Sequence, residues 1–349
     1  VAYISFQPSD HFDVKLWTGN GSSQTITGYE FQPDLAWIKA RTSTGWHDWT
    51  DAVRGVTKSI FSNSANAEDT AVTSLTAFTS DGYSLGTNSQ VNANGINYVA
   101  WNWKAGAGQG SSNTDGSINT TYTSANTTAG FSISTYSGTG SAATIGHGLG
   151  AVPQVMIVKN TYQAENWIVY HHDSNATPED KYLHLNTTDA LGDSAGMWND
   201  TAPTSSVFSV GTSTSVNQAG GTFVAYCFAE KKGFSKFGSY TGNGNADGAF
   251  IYTGFKPAWI MFRDLRSGQS WNMYDNKRSP INFVDERLRA NLNGAEVHDT
   301  GYSDMDFLSN GFKLRSSWDQ TNASGETIIF MAFAEAPLVS SNGVPATAR

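Results

Sequence analysis

Five residues of this chain stand where a side chain could meet a ligand or a neighbour: His171, His172, Trp198, Trp318 and Asp319. His171-His172-Asp173 is the only histidine cluster. Imidazoles bind metals and carry protons, and His184 could serve as a third ligand. Adjacent strand residues point to opposite faces, however, so both rings reach one metal only across a bend. The pair reads better as a strand or loop end than as a metal site. Trp318-Asp319 lies in a connection one residue longer than its counterparts after Leu85 and Val210, which hold small polar residues. A tryptophan at such a tip is costly to expose. It is a candidate contact for a ligand, another subunit or another part of the chain. Trp198, within Met197-Trp198-Asn199-Asp200, carries the same alternatives.

Hydrolytic chemistry finds less support. A glycosidase needs two carboxylates about 5–10 Å apart. Glu68, Asp189 and Glu296 occupy similar places in the chain, 22, 22 and 25 residues past a tryptophan, but each stands alone. They read as structural acceptors. No Gly-x-Ser-x-Gly occurs in a strand-turn-helix setting. Asn113-Thr114-Asp115-Gly116-Ser117 lacks the coordinating glutamate of a calcium loop. No catalytic residue, metal or cofactor is therefore assigned.

The elements that position these residues come in three copies. Thr18-Gly19-Asn20-Gly21 returns as Ser137-Gly138-Thr139-Gly140 and Thr241-Gly242-Asn243-Gly244. After each tetrad a proline (Pro33, Pro153, Pro257) precedes an apolar run ending in a base six positions on: Lys39, Lys159, Arg263. A tryptophan follows 13 or 14 residues after the proline: Trp46, Trp167, Trp271. Each copy closes on Asn92-Ala93-Asn94-Gly95, Asn217-Gln218-Ala219-Gly220 or Asn322-Ala323-Ser324-Gly325 and an apolar strand. The period, 119 then 104 residues, exceeds the roughly 20–50 of solenoids and propellers. Three units follow, 1–108, 109–235 and 236–349, the last with an extended tail from Ser340.

Short apolar runs bounded by turn residues predict strands. Asp81-Gly82 and Asn310-Gly311 are hairpin-turn dipeptides. The closing strands, Tyr98 to Trp103, Phe223 to Phe228 and Ile328 to Phe333, are apolar on both faces, as in strands covered on two sides. Helical evidence is confined to 285–291 and 65–72. The expected fold is all-β: three tandem, jelly-roll-like β-sandwich units of about 100 residues. Separate sandwiches are preferred to one pseudo-threefold assembly with shared sheets. The tetrads lead into strands, not helices, so they are turns and not phosphate loops. The repeated tryptophans could stack on sugar rings; recurrence in all three copies favours core positions instead.

Only 15% of residues are charged and 13% are aromatic; the net charge is −9. Without clustered Lys and Arg, neither nucleic acid nor an anionic membrane is an expected partner. The single cysteine, Cys227, lies in an apolar strand. No leader-like stretch opens the sequence and no run approaches the 18 or so apolar residues of a membrane span, so export by an own leader is not expected.

Several of these segments resemble a known family. Tyr240-Thr241-Gly242-Asn243-Gly244, Phe255-Lys256-Pro257, Leu308-Ser309-Asn310-Gly311-Phe312-Lys313-Leu314-Arg315 and Met331-Ala332-Phe333-Ala334-Glu335 are similar to repeated virion structural, tail-fibre-like proteins of marine tailed bacteriophages, whose function is undefined. So are Val224 to Glu230, Lys236 to Tyr240 and the ending Gly343 to Arg349. The resemblance implies a virion location and carries no site residues over. It makes other virion proteins the expected partners, with a host cell-surface glycan as ligand. A non-enzymatic tail-fibre or spike component is the leading expectation. A capsid or tail decoration protein is the alternative, and a glycan depolymerase the minor one. A homo-oligomer is expected, although a chain with three copies could be monomeric.

Overall fold

The computed structural model describes residues 6–298, 301, 304–339 and 345–346. It is all-β. Each third of the chain builds one large antiparallel sheet and one small one, the last third adding a two-stranded pair near its end, and no sheet draws strands from two thirds. In segment one the large sheet runs Phe12–Thr18, Asn97–Trp103, Leu35–Ala40, Asp48–Asp51, Lys58–Phe61, Asp69–Thr70 in spatial order. Segment three repeats this order with Ser235–Thr241, Thr327–Ala334, Pro257–Asp264, Asn272–Asp275, Glu286–Arg289 and Val297–His298. Segment two does so with Phe131–Ser137, Thr222–Phe228, Val155–Asn160, Ile168–His171, Lys181–His184 and Gly192–Asp193, and adds Tyr122–Asn126 outside its opening strand. Two short stretches expected as helices are otherwise: 285–291 contains the strand Glu286–Arg289, and 65–72 is loop around Asp69–Thr70. Of the expected extended tail, only Pro345–Ala346, paired with Leu338–Val339, lies among the described residues beyond 339.

The period of two along each closing strand explains the architecture. Tyr98 and Ala100 face the small sheet of their own segment, while Val99, Trp101 and Trp103 face the other way. The same split separates Phe223, Ala225 and Cys227 from Val224, Tyr226 and Phe228. It separates Ile328, Phe330 and Ala332 from Ile329, Met331 and Phe333. The second faces of the three large sheets meet in one shared core containing Trp37, Trp49, Trp101, Trp103, Trp167, Trp259 and Trp271. A buried aromatic of this size removes about 200 Å² from water, roughly 5 kcal/mol of gross transfer free energy. The sandwiches are thus not separate: each keeps its own sheets but shares a central core.

Polar contacts close this arrangement into a ring. Tyr226 of segment two donates to Asp51 of segment one (2.7 Å), and Trp101 of segment one donates to Asp275 of segment three (3.0 Å). Asp51 and Asp275 are fully buried and paired with Arg54 and Arg278, which also hold Glu68 and Glu296. At the remaining junction His171 stands at the equivalent position, with its Nε2 3.1 Å from the Phe330 carbonyl; His172 bonds the Phe237 carbonyl at 3.1 Å. Two of the basic residues six past each proline, Lys159 and Arg263, serve the same ring, while Lys39 bonds the Ala40 and Ser43 carbonyls of its own segment. Lys159 donates to its own Asn160 and Glu165 carbonyls and to Ala65 of segment one. Arg263 reaches the Asp189 carbonyl of segment two. Burial pulls Lys39 down to about 8 and Lys159 to about 7.

The recurring turns have one cause. Asn92, Asn217 and Asn322 are fully buried, and their Oδ1 atoms accept the amides of Asn20, Thr139 and Asn243, the third residues of the tetrads. Their Nδ2 groups donate back to carbonyls, as Asn217 does to Ser141 (2.6 Å) and Gly211 (2.8 Å). The glycine of each hairpin dipeptide is required for a different reason than expected. The turn residues are Ser80-Asp81 and Ser309-Asn310. Gly82 and Gly311 begin the return strands, where a Cβ would lie 1.8 Å and 2.1 Å from the Ile26 and Ile251 carbonyl oxygens.

Two outcomes follow. Replacing Asn217 by alanine strands one amide and two carbonyls, and is expected to lower unfolding free energy by about 2–4 kcal/mol. Asn217→Asp is expected to be worse, because a carboxylate cannot donate to the Ser141 and Gly211 carbonyls. Urea unfolding of the three proteins checks the order. The second concerns pH. Burial drives His171 down to about 3, and it acts in the same direction on the buried His47. A histidine held below its unfolded value of about 6.5 stabilises fully above that pH, and the contribution is lost as pH falls toward 3. Wild-type urea midpoints should therefore fall between pH 7 and pH 4. They should fall less in His171→Asn, whose amide stays neutral. Parallel declines would sink the assignment.

Candidate functional site

The ring has two dissimilar ends. At one end lie the connections between segments, the opening residues and the exits of the closing strands. There Asp34 gathers the amides of Ala105, Ala107 and Gly108, and Phe6 packs against Phe234. At the other end, the tip, lie the tetrads, the one-turn helices Ser89–Asn92, Thr214–Asn217 and Asp319–Asn322, and the loops after the middle strands.

The repeated tryptophans divide here. Counted back four residues from Asp51, His171 and Asp275, the equivalent residues are His47, Trp167 and Trp271. Their amides bond the side chains of Asn63, Asn186 and Asn291 respectively, which fixes the equivalence. Trp167 and Trp271 are buried and donate across junctions, to the Phe61 and Ser64 carbonyls and to the His184 carbonyl. His47 is buried and accepts from Trp37 (3.0 Å). Trp46, one residue earlier, is turned outward and is 37% exposed. Its ring rests edge-on against Phe61 (4.6 Å), and its amide donates to Gln90. Trp49 joins the central core, whereas Tyr170 and Tyr274 join their segments' own cores.

In the corresponding loop of segment two stands Tyr162, 62% exposed. It occupies the position of Thr42 and Arg266 in the other copies, three residues past the buried base. Asn160 holds its loop by accepting the amides of Tyr162 and Gln163. Lys159 and the Glu165 amide tie the loop to the Ala65 carbonyl, on the turn that follows Phe61. Charges nearby are already engaged: Arg41 binds Glu296 through both carboxylate oxygens, and Glu165 accepts from Gln163 and Ser215. Against the opposing effect of burial, hydrogen bonds from Thr214, Ser215 and Gln163 hold Glu165 below the usual carboxylate range. Each of these exposed aromatic faces, set among amides and hydroxyls with paired charges, can stack on a neutral ring and bond its hydroxyls.

The residues singled out in the sequence lie elsewhere. Trp198 is 1% exposed: it packs edge-on against Tyr170 and donates to the Lys181 carbonyl (2.9 Å). It is a core residue and not a surface contact. The small sheet of segment two has two strands where the others have three, and the helix Ala195–Trp198 fills the vacated side. Trp318 is half-buried under the Arg287 guanidinium, 4.3 Å from its ring, within its own segment. Asp319 is exposed beside it. His171 and His172 form the junction of segments two and three. Asp189 bonds His184 (2.9 Å), while Glu68 and Glu296 bind arginines. Among the described residues, no three His, Cys, Asp or Glu side chains converge as a metal site. No helix there is long and apolar enough to cross a membrane. Tyr162 went unmarked in the sequence, although aligning the copies on their buried bases places it opposite Thr42 and Arg266.

No curated protein and no solved structure matches the chain. Residues 7–337, spanning all three segments, match the model of the domain of unknown function DUF7483, and the chain belongs to that family.

Proposed function

We propose that this protein is a non-enzymatic component of a tailed-bacteriophage virion, in the tail fibre or spike, whose tip binds a neutral glycan of the host surface. The observation that carries the reading is Trp46. Its register neighbour His47 takes the core position that tryptophan fills in the other copies, and Trp46 is left facing solvent, as is Tyr162 in the corresponding loop of segment two. The carboxylate pairs Asp51/Glu68 and Asp275/Glu296 are each bridged by one arginine, and Glu296 is bound by Arg41 as well. That arrangement suits structure better than acid–base catalysis. The resemblance to tail-fibre-like virion proteins supplies the setting. Several copies on one particle would turn weak single-site binding into firm attachment.

The ring of three similar junctions also favours a second reading, a decoration protein seated on a symmetric capsid or tail lattice. Cryo-electron microscopy of the particle separates the two: density at a fibre end supports attachment, and density tiled over the shell supports decoration. For the tip itself, wild type should bind bacterial surface glycans on an array. Trp46→Ala and Tyr162→Ala should each weaken binding by about 1 kcal/mol, roughly fivefold, with unfolding midpoints nearly unchanged. Equal binding by the double variant, or no glycan bound by wild type, would overturn the reading.

A further inference from the structure

The three small sheets differ at their outermost strands, Gln24–Ile26, Ala143–Gly146 and Phe250–Tyr252, paired with Gly82–Leu85, Val207–Val210 and Gly311–Leu314. In segment three the register is Phe250↔Lys313, Ile251↔Phe312, Tyr252↔Gly311. The bonds Leu314 N–H to Ala249 and Thr253 N–H to Asn310 lie two residues to either side of Ile251. In an antiparallel ladder the bonded pairs alternate. Ile251 therefore bonds inward to Phe312, and the N–H and C=O groups of Phe250 and Tyr252 point away from the sheet. Among the described residues nothing bonds to those outward groups.

Segment two shows what the same edge can hold. Thr144 is the equivalent of Phe250, since Ile145↔Phe208 corresponds to Ile251↔Phe312. Its outward carbonyl accepts the Ile118 amide (3.0 Å), and its amide donates to Ser117 Oγ (2.9 Å). Ile118 forms a parallel bridge with Ile145 and joins the core of segment two. Gly116 permits the approach: a Cβ there would lie 2.4 Å from the Thr144 oxygen. With this cover Ile145 is fully buried, whereas Ile251 keeps 8% exposure.

The uncovered edge of segment three is also the apolar one. Phe250 and Tyr252 are 46% and 65% exposed, where segment one has Thr25 and Thr27 and segment two has Thr144 and Gly146. Exposed edges are ordinarily blunted with charge, proline or a covering segment. The ions around this one are engaged with each other, Lys313 with Asp247 and Arg315 with Asp306, so they ask for no charged occupant.

We propose that the free edge of Phe250–Tyr252 is a docking site for an extended, uncharged peptide segment of a partner protein. The segment adds to the small sheet as residues 116–118 do in segment two, with an aliphatic residue in the place of Ile118. Main-chain bonds to Phe250 and Tyr252 provide the attachment, and the two aromatic rings cover the added strand.

The test uses the full chain and a synthetic peptide of residues 116–120, blocked at both ends so that it carries no charge. The site it fills in segment two is already occupied. In hydrogen exchange, the Phe250 and Tyr252 amides should exchange fast in the free protein and become protected with added peptide. A peptide N-methylated at the isoleucine, which cannot donate to the Phe250 carbonyl, should bind roughly tenfold more weakly. Unchanged exchange at millimolar peptide, or equal binding of the N-methylated form, would overturn the proposal. Protection that rises with protein concentration in the absence of peptide would assign the edge to a second copy of this chain, against the partner peptide proposed.

Discussion

A sheet that is apolar on both faces must be covered twice. The closing strands carry that requirement: one face takes the small sheet of the same segment, and the other has no cover within it. A lone segment would leave Trp101 and Trp103, or Tyr226 and Phe228, or Met331 and Phe333, in water. Three such faces satisfy one another because each segment offers the next the same surface, and a head-to-tail contact of this kind either closes or continues indefinitely. Here it closes after three.

Closure constrains the polar groups as tightly as the apolar ones. Main-chain carbonyls at the rims of segments one and two are capped by the neighbour's Trp167, Trp271, Lys159 or Arg263. Two junctions use a buried Asp–Arg pair, viable only while both partners and their extra bonds are present, since a lone buried charge costs several kcal/mol. The third replaces the pair with a neutral histidine. The geometry is kept while the chemistry changes, and the third junction therefore weakens in acid through an uncharged ring that is forced to ionise. The buried asparagines at the tip add a further constraint. Each joins a tetrad to a one-turn helix, so the tip loops start from fixed points.

Much of this was legible in the sequence because repetition is insensitive to propensity errors. The repeated pattern, the strands, the turn character of the tetrads and the two covered faces of the closing strands all follow from pattern and period. The shared core did not, because a second apolar face says that something covers it and not what. Other misreadings came from matching residue type over position. The distance from each proline to Asp51, His171 and Asp275 is 18 residues in every copy, and that count places His47, not Trp46, opposite Trp167 and Trp271. Trp198 looked like a surface residue because its insertion is unique, yet the insertion exists to replace a missing strand. The histidine pair does bend, as joint action required, but toward two carbonyls of the next segment.

Internal repetition then separates fold from recognition without any outside alignment. Residues kept in three copies do what all three copies need: bury a face, cap a carbonyl, hold a turn. Trp46, Tyr162, Phe250 and Tyr252 break the pattern, and each breaks it toward solvent, where an aromatic ring gains least from folding. A ring of three equal segments would present the same surface three times. Differences confined to exposed positions leave the shared core and junctions undisturbed, so one rigid body carries distinct faces: two aromatics at the tip among neutral polar groups, and an open strand edge on the flank of segment three. The core tolerates this because its constraints end at the sheet faces it buries.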